Sequence, residues 1–292
     1  MKIKELATVF DSMFPKESQE SFDNCGLIVG NPDHECTGII TCLDVVPAII
    51  EEAIKKGCNM IVSHHPLIFK GVKALLDNSF NNKIIMSAVK NDISIYAAHT
   101  SLDNRFHKSL SLSLAQSVGL ENIEPLRKSQ SSSSGIAMGA GAIGNLPEPQ
   151  YAIDFLYAMR SRMKITCPIR YNKVGTNVLI KRIAVCGGAG AFLLDTAKKE
   201  GADMYITGDI SYHPFLEEHD IYLVDMGHYD SEKHATKVLA SLIREMCETF
   251  SKGVVSSAGS IESAEEKSPI ISLNPGAVLE TEVEHVAIGF CF

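Results

Sequence analysis

The chain has 292 residues, of which 45% are hydrophobic and 21% charged, and its formal net charge is −8. That length allows one large domain or two ordinary ones, and no run of about eighteen apolar residues is present to span a membrane. The acidic balance argues against a broad basic surface, which disfavours nucleic acid as a partner.

The first residues, Met1-Lys2-Ile3-Lys4-Glu5, read as the start of an amphipathic helix with no secretory apolar region. The eight cysteines are scattered without a C-x-x-C pair. A cysteine zinc cage and a disulfide framework are therefore disfavoured, and reduced thiols in a cytoplasmic protein are the expectation.

Strand and helix signals then alternate. Gly38 to Val45 reads as a strand, and Pro47 to Lys56 as a helix with proline in its first turn and Gly57 as its cap. Cys58 to Ser63 is the next strand, Asn81 to Asn91 a helix, Ile93 to Ala98 a strand, and His107 to Val118 a helix ending at Gly119. This order predicts an α/β fold with a mostly parallel sheet covered by helices.

Ser129 to Ser134 is nearly all serine, and Gly135 to Pro149 is rich in glycine and proline, which reads as a linker or domain crossing. A second alternation follows: helix Tyr151–Met163, strand Arg182–Cys186, helix Phe192–Lys199, strands Met204–Thr207 and Ile221–Val224, and a long helix Ser231–Phe250. Ile54 to Ser63 and Lys198 to Thr207 share a pattern of helix end, glycine, two residues, methionine, two apolar residues and a hydroxyl residue. Two similar α/β halves are the expectation, with a site at the carboxyl ends of their strands. In the tail, Ser256–Ser268 reads as a flexible polar segment and Val286 to Phe292 as one more strand.

Three places set ligand-type side chains at strand ends. His64-His65 leaves the strand ending at Ser63, where Pro66 stops it, so both imidazoles can turn to one spot. His99 and Asp103 follow the strand from Ile93, and His228 and Glu232 follow the strand from Ile221. If a helix begins near His228, it and Glu232 share one face, one turn apart. Taken singly, each has a plainer reading: a core histidine, a capping Asp103, or a surface pair four residues apart. Together they make a mixed nitrogen and oxygen donor set suited to Zn, Fe, Mn or Co. Two such ions can activate a water and clamp a substrate oxygen, which points to metal-assisted hydrolysis.

Two glycine-rich stretches carry less. Gly139 to Gly144 has G-x-G-x-x-G spacing but no strand before it and prolines after it, so a dinucleotide site is not expected. Cys186 to Gly190 lies between a strand and a helix, where it is either an anion cradle or only a tight turn.

Phe22-Asp23-Asn24-Cys25-Gly26-Leu27, Ser63-His64-His65-Pro66, His99-Thr100-Ser101-Leu102-Asp103, Thr207-Gly208-Asp209, and Gly227-His228 followed by Glu232 together resemble the NIF-three-like family. Its bacterial members are often labelled GTP cyclohydrolase type 2 homologues. The resemblance covers roughly Ile3 to Phe250. It implies a centre of two divalent ions (Zn, Fe or Mn) on His64, His65, Asp103, His228 and Glu232, with Glu232 bridging.

The resemblance further implies two α/β domains, residues 1–126 with 221–252 carrying the ligands and 127–220 forming the second. Residues 253–292 are left as a tail of unassigned role. Phe22 stands where the family usually has Trp, and the stretch after Leu126 is too short for the domain that many members insert. A homohexamer, a trimer of dimers, is implied as well.

On this reading a hydroxide between the ions attacks a nucleotide-like substrate, GTP by the label. Glu232, His99, Asp209 and His213 are candidates for the catalytic and proton-transfer work. The rival is a non-catalytic metal-handling or regulatory ring that binds protein or nucleic-acid partners.

Overall fold

The computed structural model describes residues 1–129, 138–175, 178–217, 220–251 and 277–282. The chain divides into two compact units. The described part of the first falls within Met1–Ser101 and Ala235–Glu284, and that of the second within Leu102–His234.

The first unit opens with α1 (Ile3–Met13), which buries Ile3, Leu6, Ala7 and Phe10 along one face. Then follow β1 (Gly26–Val29), β2 (Ile39–Cys42), α2 (Pro47–Lys56), β3 (Met60–Ser63), α3 (Phe80–Lys90) and β4 (Ser94–Ala97). Proline begins α2, as expected. Gly57 ends it in left-handed backbone, with φ 68°, the usual glycine stop. The Ser79 hydroxyl caps α3 by accepting the Asn82 N–H at 3.2 Å, which satisfies a donor that the helix itself cannot. Strands β2, β3 and β4 are parallel, and every residue in them is buried. Such strands mark a sheet covered on both faces.

The boundary lies inside the helical turn α4 (Thr100–Asp103). The second unit contains α5 (Leu110–Ser117), β5 (Glu121–Lys128), β6 (Gly139–Tyr151), α6 (Ala152–Met163), β7 (Arg170–Tyr171), β8 (Leu179–Val185), α7 (Leu194–Lys199), β9 (Met204–Thr207), β10 (Tyr222–Asp225) and the short α8 (His228–Glu232). Its sheet runs β5-β6-β8-β9-β10-β7. Only β8, β9 and β10 are mutually parallel; β5, β6 and β7 each pair antiparallel with their neighbours. The expectation of mostly parallel sheets is corrected here: this sheet is mixed.

The expected linker is corrected as well. Gly139 to Pro149 lies within strand β6, while residues 130–137 fall outside the described ones. Small residues are there because β5 passes very close: a Cβ on Gly139 would stand 2.6 Å from that of Pro125. A strand of glycine and alanine has no alternating apolar pattern to betray it.

The chain then returns to the first unit through α9 (Ala235–Ser251) and β11 (Val278–Glu280). Strand β11 lies parallel to β2 and completes the order β1-β4-β3-β2-β11. The long helix expected from Ser231 is broken between Glu232 and Ala235. Buried Asp230 ties α8 to the loop between α6 and β7 by accepting the N–H groups of Thr166 and Cys167, at 2.9 and 3.1 Å. The expected segments Ser256–Ser268 and Val286 to Phe292 lie outside the described residues.

The division also falls elsewhere than expected, at 101/102 and 234/235. Helix α5 packs on β6 and β8, and β10 pairs with β9, so both belong to the second unit. The five expected ligands are consequently shared: His64 and His65 sit in the first unit, and Asp103, His228 and Glu232 in the second.

The internal repeat is real in structure. β2-α2-β3 and β8-α7-β9 are both βαβ units in sequence order, and each helix is followed by a glycine of positive φ, Gly57 and Gly201. Each unit thus brings the carboxyl ends of its parallel strands to one edge of its own sheet, where α/β sheets place their ligands.

Candidate metal centre

In the first unit, β2, β3 and β4 deliver Asp44, His64-His65 and His99 just past their last residues. The three imidazoles form one group with ligand-capable atoms within 4.8 Å of one another. His64 is fully buried, and its Nδ1 donates to the Ala98 carbonyl at 3.2 Å. A carbonyl only accepts, so the proton is on Nδ1 and Nε2 keeps a lone pair. His65 makes the corresponding bond through Nδ1 to Asp44 Oδ1 at 2.8 Å.

His99 contacts Asp23 Oδ1 through Nδ1 at 2.9 Å. The Asp23 side chain is wholly buried and also accepts from the Thr100 N–H, at 2.9 Å, and the Thr100 hydroxyl. Burial by itself disfavours the Asp23 carboxylate. The bonds from His99 and Thr100 outweigh it and hold the group well below the usual carboxylate range.

In the second unit, β8, β9 and β10 lead into the turns Gly187-Gly188, Gly208-Asp209 and Gly227-His228. His228 donates through Nδ1 to Asp209 Oδ2 at 2.7 Å, and its Nε2 lies 3.0 Å from Glu232 Oε2. Two donors bound at about 2.0–2.2 Å to one tetrahedral ion stand about 3.3–3.6 Å apart, so this pair would open by a few tenths of an ångström to share one. Glu232 is buried, and one of its oxygens lies within 4.8 Å of one of Asp103. Carboxylates that close repel unless a cation or a proton joins them. Both carboxylates also act on the buried Cys186 thiol, which desolvation first and then their negative charge push up to about 12. Such surroundings disfavour a nucleophilic thiolate.

The Gly187-Gly188 turn explains itself against Glu232. A Cβ on Gly188, where φ is 61°, would collide with Glu232 Oε1. The turn is bare so that the carboxylate fits, and the Gly188 N–H is spent on Ser231 Oγ at 2.9 Å. Of the two readings of Cys186 to Gly190, the tight turn is the one the hydrogen bonds favour.

Each histidine expected as a ligand is therefore held by an oxygen at Nδ1 and offers Nε2. That is the arrangement ligating histidines adopt. The donor set fits a divalent transition metal: imidazole and carboxylate, with all cysteines among the described residues free thiols. His213, in contrast, sits on an exposed turn with its ring 5.8 Å from that of Tyr212, and it belongs to no metal-sized cluster among the described residues. Sequence reasoning passed over Asp44 and treated Asp23 only as part of a motif. A carboxylate just past a buried strand, beside two that carry histidines, was the available signal.

These features describe an α/β protein whose two units each carry a cluster of potential metal ligands at the ends of parallel strands. The family model for Duf34/NIF3 (NGG1p interacting factor 3) matches residues 1–260, and the chain belongs to that family. A Clostridium perfringens protein named GTP cyclohydrolase 1 type 2 homolog is 30% identical over 258 residues, covering 88% of this chain and 96% of the relative.

Among solved structures, a Staphylococcus aureus hypothetical protein is 28% identical with a TM-score of 0.83, over 100% of this chain and 99% of that one. A Bacillus cereus protein related to NIF3, 21% identical with a TM-score of 0.82 over 100% of this chain and 99% of that one, shares the fold. No helix among the described residues is long and apolar enough to cross a membrane.

Proposed function

We propose that the protein is a two-metal hydrolase acting on a nucleotide-like substrate. By the family resemblance, His64, His65, Asp103, His228 and Glu232 are the residues that would hold the ions. The observation that carries this reading is that His64, His65 and His228 are each fixed through Nδ1 to an oxygen and present Nε2. Ions bound there would supply Lewis-acid activation of water and of a substrate oxygen.

The chain's own contribution is orientation and proton handling. Asp44 and Asp209 fix ring tautomers, and Glu232 would supply carboxylate oxygen to the ions. His99, oriented by Asp23, offers Nε2 to take or return a proton. GTP is the leading substrate on the strength of the relatives' name alone, and a homohexamer rests on the family resemblance.

The test compares GTP turnover by protein loaded with Zn, Mn or Fe against the Glu232→Ala variant, with bound metal quantified in both. Turnover and two ions per chain are expected for the wild type, and loss of both for the variant. Turnover that is equal in the two, or absent from both, would overturn the GTP assignment. A wild type that retains no metal would overturn the metal centre.

A further inference from the structure

The two-residue strand β7 has no evident part in the site, yet it places one residue with care. It pairs antiparallel with β10 so that Arg170 stands opposite Asp225, the last residue of β10. The Arg170 guanidinium donates to Asp225 Oδ2 and, at 2.6 Å, to the Ile210 carbonyl. It also lies 5.2 Å from the centre of the Phe215 ring, which restrains it on one side.

Asp225 is buried and uses both oxygens. Oδ1 accepts the Gly227 N–H at 2.8 Å, and Oδ2 accepts the Ile210 N–H at 3.0 Å. Gly227 precedes His228, and Ile210 follows Asp209. One carboxylate therefore ties together the two loops whose side chains meet in the His228–Asp209 bond.

The need for such a clamp is visible in the backbone. Asp209 has φ 53°. That left-handed conformation is uncommon outside glycine, although aspartate tolerates it better than most residues, and the surrounding contacts hold it here. The loop also runs hard against its partner: a Cβ on Gly208 would stand 2.8 Å from the His228 backbone nitrogen.

We propose that Asp225, gripped by Arg170, is the positioning residue that sets the Asp209–His228 pair for metal binding. The proposal rests on the reading of His228 as a ligand. An asparagine in place of Asp225 has only one acceptor oxygen and turns a donating amide toward one of the two N–H groups, so one loop is released.

The experiment uses the full chain titrated with Co²⁺ and followed by its visible absorption, with circular dichroism as the check on folding. Asp225→Asn should weaken Co²⁺ binding about ten- to a hundredfold and alter the spectrum of the saturated protein. Arg170→Ala should do the same to a lesser degree, and Arg170→Lys should recover part of the loss. Since Arg170 is half exposed, this pair carries the test if Asp225→Asn fails to fold.

A second arm needs no metal. The His228 Nδ1 proton, resolved by ¹⁵N-edited NMR of labelled imidazoles in metal-free protein, should be protected in the wild type and exchange-broadened in Arg170→Ala. Wild-type affinity, spectrum and proton signal in the Asp225 and Arg170 variants would overturn the proposal. A wild type that binds no Co²⁺ but shows the protected proton, lost on substitution, would sink the metal reading and leave the clamp standing.

Discussion

The two units solve one problem with different materials. In the first, the strands at the site are parallel and buried throughout, and what emerges from them is imidazole: His64 wholly inside, His65 and His99 beside it. In the second, parallel strands occupy only the middle of a mixed sheet, and the emerging turns are glycine-rich. That unit supplies buried carboxylate and one more open histidine, His228. The difference shows that a neutral ring can be held by packing and one carbonyl. A buried carboxylate needs space made for it and a donor set around it.

The largest effect on stability is expected for His64→Ala. It removes a fully buried ring and leaves the Ala98 carbonyl without its donor. The loss should be about 2–4 kcal/mol in urea unfolding. Metal binding, followed by calorimetric titration with Zn²⁺, should fall with it. A variant that loses neither would show that burial in the first unit is not what holds the ring.

Gly188→Ala should behave in the opposite way. The new Cβ meets the mobile end of Glu232, so the carboxylate shifts and the fold gives little. Metal affinity should drop at least tenfold, while stability falls by only about 1–2 kcal/mol, from the left-handed backbone. The comparison of the two variants separates a packed ligand from an accommodated one.

Asp44→Asn and Asp209→Asn sharpen the contrast further. Each removes the negative partner of an Nδ1–H, at His65 and His228 respectively, and each is expected to weaken Zn²⁺ binding about tenfold. Stability should hardly move, because both carboxylates are substantially exposed. Equal affinity in either variant would show that its histidine is oriented by other means.

The smallest effect concerns the returning chain. Glu52 on α2 accepts from Lys56, from the Thr281 hydroxyl and from the Glu282 N–H just past β11. Burial opposes its charge, but these bonds prevail and lower its pKa below the ordinary 4.5. A lowered folded-state value means the stabilisation is complete above the unfolded pKa and is lost as pH falls through the folded one. Glu52→Gln should therefore cost about 0.5–1.5 kcal/mol at about pH 7, and the gap to the wild type should close in urea melts at acid pH. A gap that persists there would detach β11 from this carboxylate.

Several elements were legible residue by residue. Pro47 and Gly57 bracket α2 as they stand in the chain, β9 runs from Met204 to Thr207 as written, and the shared helix-glycine-methionine pattern became two βαβ units. These signals are local: a missing N–H, a tolerated positive φ, a run of apolar side chains. Strand β6 escaped because glycine and alanine show no alternation, and β11 because three residues far along the chain pair with β2 across a long separation.

The candidate ligands were visible as residue types at strand ends, and their membership of one set came from the family resemblance. Their support was not visible. Asp44, the bare Gly187-Gly188 turn and the Arg170–Asp225 clamp act on residues distant in the chain or through hydrogen bonds whose direction no spacing encodes. Which nitrogen of a histidine carries the proton depends on the atom facing it, and that atom is chosen only when the chain folds.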